Sequence, residues 1–226
     1  MNQIPKAANN QRDVRRGFCR VSPRIAGRIV GIAFIASVFI VTLVDDVLLA
    51  NFVIPGDAKA LARDIEANSN LFGFAVFGYL IVLALDSVIG LALFVVLKPA
   101  SKNLALLTAG LRLLYAGALA IGVVALALQL IDAGGYQAVK RWGYVSFAFH
   151  IVILGYAILK TDYVPNILGI FLIIASGSYV FFYVDLQLPD AVLILIMLTM
   201  AIAELALSVW LIFWGKSLPD ASDNGV

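Results

Sequence analysis

The stretch VLALDSVIGLALFVVLKPASKNLALLTAGLRLLYAGAL, Val82–Leu119, decides the fold. Two hydrocarbon runs meet at a short Lys-Pro-Ala-Ser-Lys-Asn turn, and each run carries one full charge, Asp86 and Arg112. A helix needs about 20 apolar residues to cross roughly 30 Å of hydrocarbon. The stretch therefore reads as a transmembrane hairpin with a charge inside each arm, and a hairpin can bring those two charges together.

The whole chain agrees. Of 226 residues, 62% are hydrophobic and 13% charged, against about 45–50% and about 25% for a soluble domain. This is the composition of an integral membrane protein, with the lipid bilayer as its partner. Six runs are long enough to span: Arg28–Phe52, Leu71–Leu97, Leu104–Ile131, Gly143–Leu159, Val164–Leu186 and Ala191–Trp214. Lipid offers no partner to backbone N–H and C=O groups, so the spans are helices. A β-barrel would need alternating segments of about ten residues, and the runs do not alternate.

Lysine and arginine set the orientation. Lys6, Arg12, Arg15, Arg16, Arg20, Arg24 and Arg28 precede the first span. Lys98, Lys102, Lys160 and Lys216 fall on the same side of a six-span chain, which is assigned to the cytoplasm. The opposite loops carry Lys59, Arg63, Lys140 and Arg141, partly balanced by Asp57, Asp64, Glu66 and Asp132. RRGFCR resembles a twin-arginine export signal, but the span behind it is too long for a signal segment and five more follow. It reads as a cytoplasmic anchor.

The expected fold is all-α: a six-helix transmembrane bundle with both termini cytoplasmic. Its parts are a basic tail over 1–27, one spanning domain over 28–216 and a disordered polar tail over 217–226. The first outer loop, PGDAKALARDIEANSN, reads as a short amphipathic helix capped by Asp57, with Leu61 and Ile65 one turn apart and Arg63 near Glu66. LKPASKNLAL and LKTDYVPNILG are alike as inner turns and hint at a repeated hairpin.

Depth is the most informative count. Asp86 lies 12 residues before Lys98, Arg112 10 after Lys102, His150 10 before Lys160, and Glu204 12 before Lys216. At the helical rise each sits roughly 15–18 Å from the inner edge, near the midplane. An isolated charge there costs about 2.5–3.5 kcal/mol on insertion scales. The expectation is that all four turn inward, with Arg112 bonded to Asp86 or Glu204. Helical neighbours support such a face: Tyr79 and Gly90 around Asp86, Thr108 and Tyr115 around Arg112, Ser146 before His150, Ser208 after Glu204. Two carboxylates and one arginine leave −1, so about one bound proton is expected.

Asp45 and Asp46 lie 17 and 18 residues past Arg28, about 26 Å from the inner edge. Adjacent residues point in different directions, so at most one faces the bundle centre. Solvation of both at the interface is the simpler reading, and a vestibule for cations the sharper one. Asp185 and Asp190 flank the last outer turn and are expected to be wet.

Several chemistries are not expected. There is no basic patch interleaved with aromatics for nucleic acid. One cysteine, Cys19, makes no internal disulfide, and one histidine makes no multi-histidine metal centre. No lysine is read at mid-span for a retinal attachment, and no Walker, Rossmann or Gly-x-Ser-x-Gly pattern occurs. No metal and no cofactor is expected. A homo-oligomer is open, with no motif to carry it.

The runs LALFVVLKPASKNLALLTAGLRLL, FAFHIVILGYAILKTDYVPNILGIFLII and AELALSVWLIFWGKS, with VIPGDA in the first outer loop, resemble a bacterial membrane family catalogued as domain of unknown function four-three-eight-six. The likeness covers about Pro23 to Gly215. It implies a multi-pass protein of the bacterial cytoplasmic (inner) membrane. The family pattern has an aspartate before the Leu-Lys-Pro turn, an arginine after it, a histidine before Gly-Tyr and a glutamate in the last span. These match Asp86, Arg112, His150 and Glu204. The family supplies no activity.

Three roles stay open for the cluster. The leading one is binding or passage of a small polar, in the first instance anionic, ligand with proton linkage. It would involve Arg112, Asp86, His150, Glu204, Tyr115 and Tyr79. The second is a structural or regulatory module in which the charges only staple helices. The third is a membrane-embedded enzyme acting on a lipid-like substrate, with no catalytic residue assigned.

Overall fold

In a computed structural model, residues 21–49, 52, 58–183 and 188–219 are described. The basic tail to Arg20, Cys19, the Asp57 cap and Asp185 lie outside them, as do the side chains of Asp46, Leu61 and Asp190 and most of the polar tail. The described chain is helical: α1 Pro23–Thr42, continued by a π-helical stretch Leu43–Leu49; α2 Ala58–Ala67; α3 Ser69–Leu97; α4 Lys102–Ala127; α5 Ala133–Ile158; α6 Asn166–Tyr183; α7 Asp190–Phe213; and a 3₁₀ turn Gly215–Ser217. Five of these, α1 with its π stretch, α3, α4, α5 and α7, are long and apolar enough to cross a membrane by length and composition. The sixth, α6, is a shorter apolar helix.

Local chemistry sets the boundaries. The Ser22 hydroxyl accepts from Ile25 N at 3.3 Å with Pro23 in the first turn, and Ser101 accepts from Leu104 N at 3.4 Å. Asp132 accepts from Gly135 N at 2.7 Å and starts α5 ten residues before the expected Gly143. This corrects the sequence reading. Lys140 and Arg141 are not loop residues but belong to a spanning helix, so a lysine does sit within the membrane-crossing segments. A capping carboxylate, not the end of the apolar run, fixed that boundary. The short helix in the first outer loop is present as α2.

Each spanning helix packs on the next in sequence, α1 on α3, α3 on α4, α4 on α5, α5 on α6 and α6 on α7, and α7 closes on α1. The result is a ring of six. Two closures depend on glycine. An added Cβ at Gly155 would lie 2.6 Å from Gly169 O, and one at Gly169 would lie 2.7 Å from Gly155 O, so α5 and α6 touch through backbone. At Gly31 a Cβ would lie 2.5 Å from Ser208 O, where α1 meets α7.

The lysine-bearing turns gather at one end. Arg24 Nε donates to Leu218 O at 2.9 Å, Ser217 Oγ to Tyr163 O at 3.2 Å, and Tyr163 Oη to Val96 O at 2.9 Å. Burial pushes the Tyr163 phenol up to about 12, so it stays a donor at neutral pH. The two look-alike inner turns therefore lie side by side. Below mid-depth the ring is filled by Ile89, Leu93, Leu97, Leu154, Ile158, Leu172 and Leu211, all buried. Outward-facing positions such as Phe39, Phe74, Ile121 and Phe149 are exposed apolar groups, as a lipid-facing surface requires.

Candidate functional site

Asp86, Arg112, His150 and Glu204 are all buried, at 2%, 3%, 0% and 7% exposure. Arg112 Nη2 donates to Asp86 Oδ1 across the α3–α4 hairpin. Gly90, one turn along α3, faces Arg112: an added Cβ would lie in ordinary contact with its Cβ and Cγ, at 3.5 Å. The guanidinium is covered on its faces, with Phe34 of α1 at 5.1 Å and Phe147 of α5 at 5.0 Å to the ring centres. Ser37 makes a long 3.5 Å contact to the same Asp86 oxygen. Arg112 Nε has no hydrogen-bond partner.

His150 sits beside Phe147, ring centres 5.5 Å apart. Its Nδ1 is 2.8 Å from Thr108 O, which fixes Nδ1 as the donor, since a carbonyl only accepts. Its Nε2 and the Thr108 hydroxyl are buried without partners. Glu204 Oε1 accepts from Tyr179 Oη at 2.6 Å.

Above the charges lies a cleft of about 440 Å³. All six helices of the ring contribute to its wall, with Ser37, Asp86, Arg112, Tyr144, Tyr179 and Glu204 among the residues. Its floor is the level of Arg112, and it runs away from the lysine-bearing turns toward Asp45, Gln137 and Lys140. On the other side of Arg112 a void of about 10 Å³ lies inside the ring, lined mostly by Leu, Ile and Val, and a separate surface groove of about 540 Å³ lies at the lysine-bearing turns, with Tyr163, Trp214 and Lys216 in its wall.

A second polar group stands higher in the cleft. Asp45, on the π stretch, binds Lys140 of α5 at 2.7 Å and accepts from Tyr79 of α3. Tyr136 Oη donates to Tyr79 Oη at 2.7 Å. Asp45 is thus bonded across three helices rather than simply solvated at the interface.

Of the six residues singled out from sequence, Asp86, Arg112, Tyr115 and Glu204 line the cleft. His150 packs behind Phe147, and Tyr79 belongs to the Asp45 group. Sequence reasoning missed Lys140, Tyr144, Phe147 and Tyr179. The available signal was the α5 face Tyr136, Lys140, Tyr144, Phe147, which repeats at helical spacing. It was hidden by starting the span at Gly143. Among the described residues no group of three or more His, Cys, Asp or Glu side chains could hold a metal.

A family profile described as "Domain of unknown function (DUF4386)" matches residues 29–215. The chain belongs to this family. A curated relative, an "Uncharacterized protein" of Archaeoglobus fulgidus, is 32% identical over 107 residues, 47% of this chain and 64% of its own length. The match thus spans less than two thirds of that relative. No solved structure matches. The membership covers all six spans and both charged levels, and it brings no activity with it.

Proposed function

We propose that the protein binds or passes a small polar solute, taken from the end of the ring opposite the lysine-bearing turns, in a proton-linked manner. By the excess of Lys and Arg at those turns, the cleft opens to the outside of the cytoplasmic membrane. One observation carries the reading: a cleft of about 440 Å³ reaches from that end to buried charges at mid-depth and stops there against packed hydrocarbon. A staple alone needs no cleft. A buried charge at this depth marks a solute path or relay more often than a strut.

The anionic solute expected from sequence would lean on Arg112. That guanidinium already holds Asp86 and lies between two phenylalanine rings, so an anion must displace Asp86 to reach it. The same coverage favours the staple as the second reading.

Replacing Cys19, the chain's single cysteine, by serine gives a background for single new thiols. In whole cells, Ala201→Cys in the cleft wall should react with a membrane-impermeant thiosulfonate, while Leu207→Cys in the packed half should not. Equal labelling of both, or of neither, would contradict an outward-open cleft. Arg112→Leu/Asp86→Leu decides between the readings: a double variant that folds and still takes up its solute normally leaves the pair as a staple only.

A further inference from the structure

Among the described residues, the charges lining the cleft do not cancel. Asp45, Asp86 and Glu204 face Lys140 and Arg112, three carboxylates against two cations. Lys140 is matched by Asp45 at 2.7 Å, and Arg112 by Asp86. Glu204 takes its hydrogen bond from a neutral phenol, Tyr179, at 2.6 Å. Glu204 is only 7% exposed, and a buried carboxylate without a cation bonded to it calls for a positive guest, whether a proton or a larger cation.

The wall around Glu204 is aromatic. Tyr179 stands 5.0 Å from Phe147 and 6.4 Å from Tyr144, and Phe147 stands 4.5 Å from Tyr115, centre to centre. Ring faces attract cations, and desolvated ones most. The chain already applies this combination to its own lysine. Lys140 Nζ lies 2.7 Å from Asp45 and 6.0 Å from the Tyr144 ring centre. Around Glu204 the carboxylate and rings recur, while the neighbouring Arg112 is engaged with Asp86.

A second observation concerns the route. In the outer half of α7, Val192, Leu193, Ile194 and Leu195 are 39%, 38%, 57% and 64% exposed. Four consecutive helical positions cover every side of the helix, and a helix packed into a ring buries one side. Met197 is 54% exposed and also lines the cleft. Met197 thus belongs both to the exposed apolar face of this half-helix and to the cleft wall.

We propose that the cleft receives an amphiphilic organic ammonium compound. Its cationic head sits at Glu204 against the rings of Tyr144, Phe147 and Tyr179, and its apolar part points past Met197 into the outer leaflet. This rests on the cleft being a solute site and adds the charge, shape and entry route of the solute.

The test uses the full chain in lipid nanodiscs, with empty discs as the blank and tetrapentylammonium as the probe. Saturable one-to-one binding is expected, with tetramethylammonium about tenfold weaker or more, since it lacks the apolar arms. Hexanoate should not displace the probe. Glu204→Gln should lower affinity about tenfold or more, the scale of one desolvated ion contact, and Glu204→Asp should keep part of it. Unchanged unfolding temperatures separate these effects from misfolding, and Met197→Trp, which narrows the side entry, gives an independent loss if Glu204 variants fail to fold. Unaltered binding in Glu204→Gln, or displacement by hexanoate, overturns the inference. If hexanoate binds and Arg112→Lys abolishes it, the cleft reading stands and only the charge was wrong. No saturable binding of either sign overturns the inference, and an unlabelled Ala201→Cys alongside it overturns the cleft reading too.

Discussion

Arg112 shows how one residue becomes tolerable in the middle of a hydrocarbon slab. Asp86 supplies the counter-charge, and Phe34 and Phe147 cover the guanidinium faces. Each desolvated ring contact is worth about 2 kcal/mol, comparable to the insertion cost of about 2.5–3.5 kcal/mol. Removing one partner exposes the other's full cost. Asp86→Leu alone should destabilise by about 3–5 kcal/mol, because a buried arginine is left unpaired, whereas Asp86→Leu/Arg112→Leu should recover most of that loss. Thermal unfolding of the three proteins in one detergent checks it. Additive losses would mean that the two charges do not act as a pair.

Residue chemistry of this kind was partly legible beforehand. The common depth of Asp86, Arg112, His150 and Glu204 follows from counting at 1.5 Å per residue. Which side chain bonds to which depends on helix rotation and neighbour choice. The hairpin pointed to Asp86 as the partner of Arg112 with Glu204 as the alternative, and the structure gives Asp86; counting could not tell that Glu204 falls to a tyrosine, Tyr179 on α6.

At the scale of elements, backbone contacts set how close the helices come. Gly155 and Gly169 face each other's carbonyls at 2.6 and 2.7 Å from where a Cβ would be. Neither neighbour is a flexible side chain, so the helices themselves must part. Gly155→Ala should lower the unfolding temperature, and Gly155→Leu should abolish assembly, as read by size-exclusion chromatography. A wild-type profile for Gly155→Leu would show that the α5–α6 contact is dispensable. The C-terminus of α4 offers the opposite sign. Gln129 has φ 54°, with Leu130 N bonded to Ala125 O at 2.8 Å and Gln129 N to Leu126 O at 3.0 Å. This is the left-handed helix stop that glycine occupies at lowest strain. Gln129→Gly should therefore raise stability, by up to the roughly 1–2 kcal/mol that the left-handed conformation costs a residue with a side chain, measured as the same unfolding shift. A fall would mean that the glutamine side chain carries a contact worth more than the strain.

The π stretch Leu43–Leu49 is another element-scale feature that spacing did not reveal. Asp45 and Asp46 looked like a solvated pair at the end of a regular helix. A π-helix changes the rotation per residue and tends to occur at functional positions. Here it accompanies an Asp45 that reaches Lys140 and Tyr79 on two other helices.

At the scale of the molecule, the ring closes through α7 on α1, yet the two halves differ. Inside the ring the half near the lysine-bearing turns is packed with buried apolar side chains, while the other half holds the cleft and the exposed outer part of α7. The cysteine-labelling contrast between Ala201 and Leu207 tests this polarity directly. The polarity also bears on dynamics. A protein that passes its solute must open the packed half while it closes the cleft, and the Asp45–Lys140 contact spans the mouth that would close. Lys140→Met should leave the mouth without its cross-link and raise the labelling rate of Ala201→Cys severalfold, the scale of a contact worth about 1 kcal/mol. An unchanged rate would place that pair outside any gating motion.

The sequence by itself determined that this chain lives in lipid, that it crosses as helices, which turns share a side and that four charges share a depth. Each of these depends on composition or on a fixed rise per residue. Only the tertiary structure decided where α5 begins, how each helix is rotated, which charges pair, and that a cleft stands over them. Those outcomes arise from caps, glycine contacts and aromatic cover between segments far apart in the chain, and no local periodicity encodes them.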